Sequence, residues 1–336
     1  MMKSPRSRTV ISVSLVLLLL AFLSGCQTES QPPLNYTGSG TASNPYVISD
    51  AQALVGVAHI ITDSYTYSDN AQLGAYIELG ADIDMSNITE TESGNWTPIG
   101  TYDEVAGKVY SFTGTFNGNG HEIRNLKIHL PDTDYGGLFG YTRNATIMDV
   151  KLVDADVEGQ SSVGALIGYA ESTDISRCSS DGTVSGQEYV VGGLVGEIDA
   201  GSLSFCSSSA TVSCVGEGGG LVGYVGSSSS ISSCFASGTV TGKEGDGSGS
   251  CGGLIGFSQG SDERRVIVST SYATGDVSGI GRNTGGLIGF AEETKIEKSY
   301  ATGTISGSVK CWRSCGACGS GCSCDFLFCH GECNRK

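Results

Sequence analysis

The chain has 336 residues, with 51 glycines, 6 prolines, 8% aromatic and 16% charged residues, and a formal net charge of −16. Such a composition excludes a helical enzyme, and the regular recurrence of aliphatic residues as far as residue 307 excludes disorder. The acidic balance argues against a nucleic-acid partner and an anionic membrane surface, while many short strands joined by tight turns would use glycine in this way.

Residues 1–25 read as an address. Lys3, Arg6 and Arg8 form a basic start, and Val10 to Leu23 is an apolar stretch of 14 residues that ends in small residues, as a signal peptide does. The end of this stretch, Leu23-Ser24-Gly25-Cys26, resembles the lipobox of bacterial lipoproteins. That resemblance implies cleavage before Cys26, acylation of its thiol and attachment to a membrane through the lipid. Gln27 stands where an Asp is associated with inner-membrane retention, which points to an outer surface. Residues 26–43, with Pro32, Pro33, Gly38 and Gly40, form a flexible tether. Residues 44–75 form an N-terminal cap, within which Asp50 to Ile61 predicts a helix with Asp50 as N-cap. Its apolar face, Leu54, Val57, Ala58 and Ile61, would cover the open end of whatever follows.

From residue 76 to 307 the sequence repeats. A Gly-Gly-Leu-Val-Gly theme recurs around Leu138, Leu166, Leu194, Leu221, Leu254 and Leu287, spaced 28, 28, 27, 33 and 33 residues apart. A second theme ends in Cys178, Cys206 and Cys234, then Ser271 and Ser299; a third centres on Val184, Val212, Val240, Val277 and Ile305. Three β-like segments per period of about 28 residues, with no helical periodicity, predict an all-β fold. The expected architecture is a right-handed parallel β-helix (β-solenoid) of stacked coils. One coil cannot bury its apolar residues alone, so the leucines would align as an interior column. These residues resemble the GLUG-motif repeats of bacterial surface proteins, with Phe112 to Ile123 similar to that family's lead-in. The resemblance implies an exposed, extended surface domain and no established activity.

Two insertions lie at Gly242 to Ser250 and near Ser258 to Arg265, at different corners of the coil, so a shared binding mouth is not expected. No carboxylate column runs beside a basic column, and zinc-protease and nucleophile-elbow motifs are absent, so no catalytic residue, metal ligand or cofactor is assigned. His59, His121 and His129 lack metal-ligand spacing and read as structural or solvated; His330 belongs to the tail. One column could recognise a ligand: Tyr141, Tyr169, Tyr224, Phe257 and Phe290, interrupted by Glu197. Strand alternation would set it beside the aliphatic column of Ile167 and Val195 as a packing ladder, whereas Glu197 argues for an exposed, ligand-binding stripe.

Residues 308–336 differ from the body. Cys311, Cys315, Cys318, Cys322, Cys324, Cys329 and Cys333 place seven cysteines in 23 residues. A disulfide knot and a soft-metal site including His330 are two readings. The third is favoured: one back-translation of Cys311 to Cys318, TGT-TGG-CGG-TCT-TGT-GGG-GCT-TGT, read one nucleotide later gives Val-Gly-Gly-Leu-Val-Gly-Leu, so the tail reads as a frameshifted repeat.

The function expected from these features is a lipid-anchored, extracytoplasmic cell-surface solenoid in the cell envelope. It would present an extended face for adhesion to a glycan or surface protein, without enzymatic activity. Alternatives are a polysaccharide-active β-helix enzyme, lyase or hydrolase, and a structural spacer.

Overall fold

The computed structural model describes residues 36–63, 74–86, 88, 95–103, 108–243, 249–281 and 283–307, with the backbone of four strand segments between 311 and 335. The signal segment, Cys26, most of the tether, His330 and the tail's side chains lie outside the described residues.

Each coil crosses four sheets, not three, and in later coils the sheet IV segment is broken into two short strands such as Ser207–Ser208 and Thr211–Cys214. One coil runs Val163–Gly164 in sheet I, Ile167–Glu171 in sheet II, Asp174–Ser176 in sheet III and Ser179–Gly186 in sheet IV. Strands of successive coils pair in parallel, so the sheets reach six, seven, eleven and fourteen strands. The extra strand arises because the Gly-Gly-Leu theme spans a corner. A Cβ on Gly192 would lie 1.9 Å from the carbonyl oxygen of Val195, and one on Gly193 would lie 2.2 Å from that of Gly220. Only glycine lets the backbones approach so closely there.

Leu138, Leu166, Leu194, Leu221, Leu254 and Leu287 are all fully buried, in one interior column. Removing each such side chain from water contributes roughly 1.5–3 kcal/mol. The Cys178, Cys206 and Cys234 thiols also point inward. The amide N–H of Cys178 donates to Cys206 Sγ at 3.4 Å and that of Cys206 to Cys234 Sγ at 3.4 Å. Serines continue the ladder: the Cys234 and Ser271 amides donate to Ser271 Oγ and Ser299 Oγ, each at 3.1 Å.

The helix Ala51–Asp63 begins as expected, with Asp50 Oδ1 accepting from the Ala53 amide at 2.8 Å. Leu54, Val57, Ala58 and Ile61 are buried, beside the strand Tyr46–Ile48, which pairs with Tyr76–Leu79 at the N-terminal end of sheet III. Between sheets III and IV the chain turns through a left-handed residue in successive coils: Arg177, Phe205, Ser233, Thr270 and Lys298, with φ from 48° to 55°. None of these is glycine.

Four tail segments continue the sheets. Gly285 pairs with Trp312, Ile288 with Cys315, Ile296 with Cys324 and Ile305 with Cys333. This backbone has the spacing of a coil, but Trp312 occupies the register of a corner glycine.

Candidate functional site

Tyr141, Tyr169, Glu197, Tyr224, Phe257 and Phe290 stand in strand register along sheet II. Simple alternation from Ile167 would turn this column inward, but the pairing steps from Ile167 directly to Tyr169 and leaves Gly168 unpaired. The inward position passes to Ala170, Ile198, Val225, Ser258 and Ala291, each wholly buried. The rings therefore face outward, half-buried against one another, with Tyr141 the most covered.

The column is not one continuous stripe. Tyr141 and Tyr169 stack at 4.7 Å between centroids, with Tyr135 edge-on to both. Tyr141 Oη donates to Glu171 Oε2 at 2.7 Å and Arg143 Nε to the same oxygen at 2.8 Å. Burial, then the Glu171 hydrogen bond, pushes the Tyr141 phenol up to about 12. This end is occupied by its own partners. Beyond Glu197, Tyr224 and Phe257 stack at 5.7 Å and Phe257 and Phe290 at 4.8 Å.

Where the rings are interrupted, a cleft of about 260 Å³ opens, lined by Val190, Glu197, Glu217, Tyr224, Phe257 and Gln259. Tyr224 Oη donates to Gln259 Oε1 at 2.9 Å, and Ser162 Oγ donates to Glu197 Oε2 at 3.4 Å. Burial raises the Glu197 carboxyl to about 7; the Ser162 hydrogen bond opposes the shift, and the charges of Asp199 and Glu217 add to it. At neutral pH this group is therefore divided between a form that donates a hydrogen bond and one that only accepts. Apolar ring faces beside a few convergent polar groups are the usual composition of a small-molecule site. Stacking rings with hydrogen-bonding carboxyl and amide groups suits a sugar, which has C–H faces and hydroxyl edges.

The sequence pattern shows Glu197 as the break in the stripe but not Val190, Glu217 or Gln259, which reach the cleft from other strands and coils. A second ladder was also missed. Phe235, Tyr272 and Tyr300 stack on sheet IV at 5.2 Å and 5.2 Å, with planes 5° and 6° apart. Phe235 and Tyr300 are 37% and 39% exposed, so this ladder is more open than the first. Its signal was the recurrence of Cys234-Phe235-Ala236, Ser271-Tyr272-Ala273 and Ser299-Tyr300-Ala301.

Two histidines meet carboxylates that are distant in sequence: His121 Nδ1 lies 3.2 Å from Asp82, and His129 Nδ1 meets Glu158. Asp82 also takes Arg124 at 3.5 Å, and its carboxyl is held low mainly by the Glu122 amide, then by His121. These contacts join side chains of neighbouring coils at the surface. Among the described residues no three His, Cys, Asp or Glu side chains converge as a metal site. Cys26 lies outside the described residues.

The family model of the GLUG motif matches residues 159–185, 217–241 and 280–306. Halomucin of Haloquadratum walsbyi is 35% identical over 160 residues, 46% of this chain and 2% of that protein. A "Putative Gly-rich membrane protein" of Evansella cellulosilytica is 33% identical over 135 residues, 39% of this chain and 14% of that one. The chain thus spans only a small part of these relatives' lengths. Among solved structures, a "putative immunoglobulin A1 protease" from Bacteroides ovatus superposes with a TM-score of 0.64 at 21% identity, covering 84% of this chain and 86% of that one. A chain named IgA1 Protease gives 0.58 at 18% identity, covering 86% of this chain and 21% of that one. At these identities the likeness is one of fold. With its three motif matches set along stacked parallel coils, the chain carries GLUG-motif repeats on a β-solenoid.

Proposed function

We propose that this protein is a lipid-anchored, non-enzymatic β-solenoid of the cell surface that binds glycan along the outer face of sheet II. The single observation that carries the reading is the cleft at Glu197, where the Tyr224 and Phe257 rings stand beside a hydrogen-bonding carboxyl and the Gln259 amide. The relatives named as a halomucin and a membrane protein support a place in the cell envelope. Acylation at Cys26 would attach the solenoid there, with the tether 26–43 holding it off the bilayer. Tyr141, Tyr169, Tyr224, Phe257 and Phe290 form the proposed stripe, with Tyr224 and Phe257 its binding end. The experiment is a glycan panel probed with the full chain: retention of one glycan class is expected, and retention of none overturns the reading. For the anchor, Cys26→Ala should abolish incorporation of labelled fatty acid.

One observation favours a second reading, a polysaccharide hydrolase. A carboxyl raised to about 7 by burial, in a cleft that Glu217 also lines, suits the acid that glycoside cleavage needs. Release of reducing sugar by the wild type but not by Glu197→Gln would establish it. Binding without release leaves the surface-binding reading in place.

A further inference from the structure

The corner between sheets IV and I is filled by one side chain per coil, always opposite a glycine. A Cβ on Gly186 would lie 2.4 Å from Val191 Cγ2, and one on Gly279 would lie 2.3 Å from Thr284 Oγ1. In both coils the filler stands on sheet I. In one coil the arrangement reverses. Cys214 fills from sheet IV, and a Cβ on Gly218 would come within 2.1 Å of its sulfur. In the next coil the filler returns to sheet I as Cys251, opposite Gly242. The register pairs Cys214 with Gly242 and Gly218 with Cys251, so the two thiols are diagonal neighbours across adjacent coils. Their sulfurs lie 3.8 Å apart, both buried.

The other described cysteines behave differently. Cys178, Cys206 and Cys234 donate to the carbonyls of Ser176, Ser204 and Ser232 at 3.2–3.3 Å. Ser271 and Ser299 take over that position with the same type of bond. A hydroxyl serves there as well as a thiol, so the ladder needs no sulfur chemistry. At the corner, Thr284 stands in register with Cys251 one coil further on, and among the described cysteines only Cys214 and Cys251 bring their sulfurs within 4 Å of each other.

We propose that Cys214 and Cys251 form a disulfide that staples two successive coils when the chain folds in the presence of a small-molecule disulfide oxidant. The thiolate of one cysteine attacks the oxidant R–S–S–R, forming a mixed disulfide and releasing one R–S⁻. The second thiolate displaces the other R–S⁻ as the Cys214–Cys251 bond forms, and the two protein protons leave on the two R–SH products. The oxidant is thereby reduced and the cysteine pair oxidised. Folding leaves the Cys214 thiol protonated, its pKa raised by the hydrogen bond with Cys251 and by burial, so exchange belongs to the assembling coils and not to the closed corner. The bond would close a segment of 37 residues containing the longer connection from Gly242 to Ser250.

The test is a non-reducing peptide map of the full chain, folded in a mixture of oxidised and reduced glutathione and alkylated in denaturant. A linked pair of peptides carrying Cys214 and Cys251 is expected, with Cys178, Cys206 and Cys234 alkylated. Reduction should then lower Tm by several degrees. That shift should vanish in Cys214→Ser and persist in Cys206→Ser. Alkylation of both Cys214 and Cys251 without prior reduction overturns the proposal, as does linkage of either to a different cysteine. Because the map is made on the wild type, it decides the matter even where a variant fails to fold.

Discussion

Glu197 stands in strand register with Tyr224, one coil apart on the outer face of sheet II, so a carboxyl occupies the place of a ring in the stack. Burial lifts that carboxyl to about 7, from the ordinary range near 4.3 that it has in an unfolded chain. A carboxyl raised on folding contributes stability that is complete below its unfolded pKa and lost as pH rises through its folded pKa. The loss attributable to Glu197 therefore spans roughly pH 4.3 to 7. Glu197→Gln should remove this component and raise stability at about pH 8 by on the order of 2–3 kcal/mol. Denaturant unfolding of both proteins at about pH 5 and pH 8 checks it; an unchanged pH dependence in the variant contradicts it.

Leu194 is wholly buried in the interior column. Leu194→Asp should cost more than about 4 kcal/mol, because no partner exists there for the charge. Loss of the cooperative β-type melt is the expected observation. A melt at the wild-type temperature would place the column elsewhere.

Thr270 is an exposed β-branched residue at φ 51°, in a region where a side chain costs roughly 1–2 kcal/mol. Thr270→Gly should relieve part of that strain, offset by the greater entropy of glycine in the unfolded chain, for a net gain of about 0.5–1 kcal/mol. A rise in Tm is expected, and a fall would mean that Thr270 makes contacts worth more than its strain.

Leu194 lies where the sequence was legible and Thr270 where it was not. The leucine column repeats with the coil, and Asp50 sits at a helix start with an apolar face behind it, so period and cap chemistry identified both. The left-handed corner was not legible, because Arg177, Phe205 and Lys298 carry no glycine signature. The fourth strand hid inside the Gly-Gly-Leu theme, where the close backbone approach at Gly192 and Gly193 becomes visible only with neighbouring coils stacked. The cleft was half legible: Glu197 broke a visible column, but Glu217 and Gln259 join it only through coil stacking. The Phe235, Tyr272 and Tyr300 ladder is present as a repeat, but its rings come face to face only through the pairing of sheet IV.

In the tail, Trp312 holds the register of Gly285 and Cys315 that of Ile288, so a coil's spacing persists without its residue types. We propose a shifted reading frame as the cause. Resequencing the gene across codons 300–318 should show that one added or removed nucleotide near Ser308 restores the glycine theme. A stop codon within a few codons in that frame would contradict this, and so would one homogeneous disulfide pattern among the tail cysteines.

The binding role of sheet II is tested most directly by the affinity of the full chain for the glycan it retains, measured in wild type, Tyr224→Ala/Phe257→Ala and Tyr272→Ala/Tyr300→Ala. Each ring contributes about 0.5–1.5 kcal/mol beyond its buried area, so losing the cleft pair should weaken binding by about tenfold or more. The sheet IV pair should bind as wild type does. Equal affinity in wild type and the cleft variant would contradict the assignment, and a loss confined to Tyr272→Ala/Tyr300→Ala would move the site to the other ladder.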